Sequence, residues 1–195
     1  EQEAFNESLI REHLIREFVS LREDCKQALY GYFQYGLHNL ARRDASPGAS
    51  EFKSMVRTLR RCYHRLQHLA VSTKETDLIE HFQVFNQMIF SFYRACECLN
   101  VNDSYKNLLD VEAYRTYKQA DEMLHDGHRE VFYDRHNRGQ FRQAEAVQRV
   151  RAAGQLFHMV IDRYPASSWV VEAGIKLEYT LALMKYIDLF FSEEE

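Results

Sequence analysis

Apolar residues recur along this chain every three or four positions over long stretches, and polar turn residues interrupt them only briefly. From Asn6 to Leu40 the stripe Ile10, Leu14, Phe18, Leu21, Cys25, Leu29, Tyr32, Gly36 and Leu40 predicts a long first helix and its core-facing side. Asp44, Ser46, Pro47 and Gly48 then mark a loop. Ser50 is placed to cap a second helix carrying Phe52, Val56, Leu59, Tyr63, Leu66 and Leu69. Ser72 and Glu75 have the spacing of a capping box, which predicts the start of a third helix with Leu78, Phe82, Phe85, Ile89, Phe92 and Cys96, ending near Leu99. Tyr105 to Asn137 reads as helical with a break at Asp126-Gly127, and Asn137-Arg138-Gly139 as a C-cap and turn. A helix from Gln140, bending at Gly154, has to stop before Pro165. Ser167 or Ser168 caps the last helix, which reaches Phe191 before an acidic tail, 192–195, frays.

The pattern therefore predicts an all-α chain, a single multi-helix domain of antiparallel helices over 1–191 with long first and last helices. Seven Gly and two Pro in 195 residues agree, since strand-rich folds use both freely in turns. The last helix differs from the others. Val170, Val171, Ile175, Leu177, Leu181, Leu183, Met184, Ile187, Leu189, Phe190 and Phe191 occupy nearly every sector of its surface, so it should be buried on more than one side. Tyr30, Tyr32, Phe33 and Tyr35 crowd one segment of the first helix, and aromatic residues are enriched at interface cores. A self-associating surface built from these two helices is expected, with Tyr32, Phe33, Leu37, Leu177, Leu181, Met184 and Phe191 as its contacts. The alternative is a large internal core that buries both helices.

Charge and chemistry add little to that picture. The net charge of −4 does not suggest a general nucleic-acid binder. Arg57, Arg61 and Arg65, four apart on one helix face with His64 and His68 nearby, form a basic strip that suits an acidic partner or plain solvent. Cys25, Cys62, Cys96 and Cys98 read as reduced thiols of an intracellular protein. Cys62, His64, His68 and the Cys96-x-Cys98 pair form a metal-binding alternative, in spacings that match no common zinc pattern. Glu122-x-x-His125 is half of a di-iron motif without its second half. No phosphate loop, nucleophile elbow or His-Glu-x-x-His pair occurs, so no enzyme, cofactor or metal is expected. No apolar run approaches a membrane span and no signal peptide opens the chain. The chain begins Glu-Gln-Glu without Met and ends in three glutamates, which reads as a domain excised from a longer protein.

The segment Arg138-Gly139-Gln140-Phe141-Arg142-Gln143-Ala144-Glu145-Ala146-Val147 resembles a turn between two late helices of the telomere repeat-binding factor homology domain. The layout is similar too, with a long first helix and Glu51-Phe52-Lys53 opening the second. That resemblance implies an all-helical nuclear domain that dimerises through its first and last helices and recruits partner peptides. Gly139, Phe141, Ala144 and Val147 would be packing residues. In that family DNA is read by a separate Myb-type domain built around several tryptophans; this chain has only Trp169, so no direct contact with nucleic acid is implied. The same segment, followed by Arg163-Tyr164-Pro165 and Glu172-Ala173, also resembles tetratricopeptide hairpins, which would imply a monomeric scaffold for a partner peptide or helix. No 34-residue period supports that second resemblance.

Overall fold

The computed structural model describes residues 2–34, 49–74, 76–98, 110–134 and 143–191, and among them the regular structure is entirely helical. The helices are α1 (Gln2–Gln34), α2 (Ala49–Ser72), α3 (Thr76–Cys98), α4 (Val111–Arg129), α5 (Gln143–Arg163) and α6 (Val170–Phe191). A π-helical turn, Glu130–Asp134, continues α4.

Consecutive helices pack on one another, α1 on α2, α2 on α3, α4 on α5 and α5 on α6. The two halves are joined where α6 lies against α3, and the π turn reaches back to α1. The α3–α6 contact is aromatic. Phe85 meets Tyr186 and Phe190, and Phe92 meets Tyr179, with ring centroids 5.2–6.1 Å apart. Phe18 of α1 stands 4.7 Å from the Phe82 ring and 6.4 Å from Phe190. One continuous core results, in which Leu21, Leu29, Leu59, Leu66, Phe82, Phe85, Phe157 and Tyr186 are fully enclosed.

Several elements differ from the sequence reading. Ile10 is not in the core but 58% exposed; α3 begins at Thr76, where Asp77 meets Arg11. Ser72 caps no helix; it is the last residue of α2, and its hydroxyl donates to the His68 carbonyl at 2.7 Å. Helix α4 runs straight through Asp126-Gly127. Gly127 is required by the neighbour, since a Cβ there would stand 2.6 Å from Val150 Cγ2 of α5. Helix α5 is described from Gln143, the expected start at Gln140 lying outside the described residues; Gly154 lies inside it, and it ends before Pro165 as expected. Ser167 Oγ accepts from the Trp169 N–H at 3.2 Å, holding the turn into α6. Ala144 is exposed rather than packed, whereas Val147 is half-buried against the core. Gly36, Leu40, the Asn137-Arg138-Gly139 turn, Phe141 and the 192–195 tail lie outside the described residues.

Candidate functional site

Helix α6 shows why an all-round apolar sequence folds here as it does. Its buried arc faces α3, α4 and α5, and polar residues at four-residue spacing run down the middle of that arc: Glu172, Lys176 and Thr180. Glu172 and Lys176, with Tyr179, meet a matching series on α4, while Thr180 Oγ1 donates to the Lys176 carbonyl of its own helix at 2.8 Å. Tyr117 donates to Glu172, Lys176 Nζ donates to Asp121 Oδ1 at 2.6 Å, and His128 is hydrogen-bonded to the Tyr179 hydroxyl. The pairs advance together in both helices, so α4 and α6 run parallel with the α5 hairpin between them.

Burial alone would lower the Lys176 pKa, but the charge and hydrogen bond of Asp121, helped by Glu172, leave it above the ordinary lysine value. This ammonium is charged at neutral pH although only 7% of the residue is exposed. His128 is driven the other way. Burial holds its pKa well below the usual imidazole value, reinforced by the positive neighbours His125 and Lys176. Phe92, Phe132 and Tyr179 surround its ring at centroid distances of 4.7–5.7 Å. The lysine is matched by a carboxylate and the histidine is sealed among aromatic rings, so the ladder fixes the register of α4 on α6.

The opposite arc of α6 faces outward. Leu181 is 53% and Val171 73% exposed, while Leu177 and Met184 are half-buried. Three of the expected contacts are thus brought together, but not on a flat face. Leu177, Leu181 and Met184 line one wall of an open groove of about 510 Å³, whose other wall is α5 with Arg151, Gly154, His158, Met159, Asp162 and Arg163. Phe191 does not join them. It is 3% exposed and packs edge-on against Tyr186 inside the chain's own core. Leu37 and the side chains of Tyr32 and Phe33 lie outside the described residues.

A second outward surface comes from α1. Opposite its core stripe, Phe5 is 64% exposed, Leu9 49% and Val19 58%. Residues 5, 9, 12, 16, 19 and 23 follow the alternating four-three spacing of a helix-pairing seam, occupied by Phe5, Leu9, Glu12, Arg16, Val19 and Glu23. That spacing was available in the sequence, masked by the stronger core stripe of the same helix. The α5 wall of the groove carried no comparable signal, because its residues come together only once α6 is docked.

Arg57 and Arg61 are exposed on α2 as expected, but Arg65 is tied to Glu17 Oε1 of α1 at 2.5 Å. The cysteines do not converge on the histidines. Cys25 and Cys62 are buried facing each other between α1 and α2, where donating a hydrogen bond to Cys62 and burial both push the Cys25 thiol pKa up. Cys96 is buried on α3, and His64 and His68 point to solvent. The Cys98 side chain lies outside the described ones. Glu122 faces Lys118 at 3.9 Å. Among the described residues no three His, Cys, Asp or Glu side chains are grouped so as to hold a metal, and no helix is long and apolar enough to cross a membrane.

No family model, curated protein or solved structure matches this chain.

Proposed function

We propose that this chain is a non-enzymatic helical interaction domain that pairs with a second copy of itself and recruits other proteins. The observation that carries the reading is the outward stripe of α1, where Phe5, Leu9 and Val19 stand in water on the side away from the core. The middle of the seam is complementary to itself. In an antiparallel pairing centred between Glu12 and Arg16, Leu9 faces Val19 of the second copy and Glu12 faces Arg16 of the second copy, while the same pairing sets Phe5 opposite Glu23 at its ends. Within one chain Arg16 already meets Glu12 at 2.5 Å, so pairing exchanges that exposed contact for the same one between chains. The resemblance to the telomeric dimerisation domain gives the reading a nuclear setting, with DNA held by another part of the protein.

The test is absolute mass by light scattering over a wide concentration range. A particle near twice the chain mass of 23.2 kDa is expected, with Leu9→Glu and Val19→Glu both yielding monomers, because each buries an unpaired charge in the seam. Glu12→Arg should weaken the pair, and the double variant with Arg16→Glu should restore it. A strict monomer at all concentrations would sink the dimer. The second reading, a monomeric tetratricopeptide-like scaffold, would then stand on the α5–α6 groove.

A further inference from the structure

The groove between α5 and α6 has features that pairing through α1 does not use. Its trough is formed by Gly154, Met159, Leu177, Leu181 and Met184. Two of these are methionines, unbranched and polarizable, which adapt readily to another apolar surface. Arg151 and Arg163 stand at its two ends, twelve residues apart on α5, which is about 18 Å along a helix. The carboxylate on the same wall, Asp162, is engaged by His158 Nδ1 at 2.8 Å. Among the described residues neither arginine is in an ion pair. Some other surface arginines are matched, as in Arg16–Glu12, Arg65–Glu17, Arg94–Glu178 and Arg149–Glu130, each at 2.5–2.6 Å, while Arg57, Arg61 and Arg115 stand exposed like the groove pair. The groove is thus an apolar trough about 10 Å long, from Leu177 to Met184 on α6, with a guanidinium beyond each end.

We infer that this groove is the recruiting site, and that its occupant is an acidic amphipathic helix of a partner protein. Leucine-like side chains on successive turns fill the trough, as in other helix-in-groove recognition. Carboxylates about eleven or twelve residues apart on the ligand reach Arg151 and Arg163, each able to take a carboxylate with two parallel hydrogen bonds. A basic or neutral helix of the same apolar pattern would leave both guanidiniums without partners, so the end charges set the choice of ligand. The inference rests on the reading of the chain as an interaction domain, but not on its dimer, which uses α1.

The probe is a fluorescein-labelled 18-residue helical peptide with leucines on three successive turns and glutamates eleven positions apart. Its twin has lysines in place of the glutamates. Fluorescence anisotropy with the full chain should show the acidic peptide binding at least ten-fold more tightly than the twin. Arg151→Glu combined with Arg163→Glu should reverse that order, and Leu181→Glu should abolish binding of both peptides. All three changes are at accessible side chains, and far-ultraviolet circular dichroism confirms that each variant is folded. No binding of the acidic peptide, or a preference that survives reversal of both arginines, overturns the inference. So does conversion of the protein from dimer to monomer by Leu181→Glu, which would make a second copy the occupant of the groove. Loss of the dimer in Leu9→Glu with peptide binding intact would leave this inference standing apart from the pairing mode of α1.

Discussion

Replacing Asp121 by Asn tests the energetic logic of the polar ladder between α4 and α6. The substitution keeps the shape of the side chain and removes its charge. Lys176 is 7% exposed, and its ammonium donates to Asp121 Oδ1 at 2.6 Å, so the variant leaves a buried cation without its nearest counter-charge. Breaking such a pair by removing one partner costs about 3–5 kcal/mol. Glu172, one turn earlier on α6, supplies part of the missing charge, so the lower end, about 3 kcal/mol, is expected here. Lys176→Met removes the desolvation penalty at the same time. The double variant should therefore recover most of the loss, since a buried ion pair and an apolar replacement of similar volume are often equivalent. Equilibrium urea unfolding of the wild type, both single variants and the double gives the coupling directly. The sign of the pH effect follows from the raised pKa of Lys176. Its contribution is present below the unfolded lysine value of about 10.5 and is lost as pH rises through the higher folded value. A loss under 1 kcal/mol for Asp121→Asn, or a double variant as unstable as the sum of the singles, would refute this account of the ladder.

Three further outcomes follow from the same helices. His128 has a depressed pKa, so its share of stability is present above about pH 6.5 and falls by about 1.4 kcal/mol per pH unit below that, until the folded value is reached. Urea midpoints measured from pH 7.5 down to pH 5 should show that slope, and His128→Gln should flatten it. Gly127→Ala should destabilise by about 1–3 kcal/mol, because the new methyl meets the stiff, buried Val150 at 2.6 Å. Gly174→Ala, whose Cβ would meet nothing within 4 Å, should instead raise stability by about 0.5–1 kcal/mol in thermal or urea unfolding.

The helical class, the end of α5 before Pro165 and the span of α6 to Phe191 were legible in the sequence, because long amphipathic helices leave a three-four repeat that few other structures mimic. The all-round apolar character of α6 was also legible, and its cause is now specific: α3, α4 and α5 cover one arc while the other lines a groove. Ile10 was assigned to the core because periodicity gives direction around a helix but not where its neighbours stop. Gly127 read as a breaker because the sequence shows a missing side chain but not the Val150 methyl that requires it. The polar ladder was visible in part as Glu172 and Lys176, four apart in an apolar helix. Its meaning needed the α4 partners, more than fifty positions away in sequence. Phe191 had the right composition for an interface and the wrong direction, since Tyr186 draws it inward.

The place of α6 as the closing helix also bears on how the chain is made. On the aromatic face of α3, Phe85 waits for Tyr186 and Phe190 and Phe92 for Tyr179, roughly a hundred residues later in synthesis. At ribosomal speeds of about 5–20 residues per second, the nascent first half carries that sticky surface for about 5–20 seconds. Until α6 emerges, the finished α1–α3 unit is a natural client for a chaperone. A chain stalled or cleaved before residue 170 would expose the same rings permanently, so it should aggregate rather than persist as a small folded fragment.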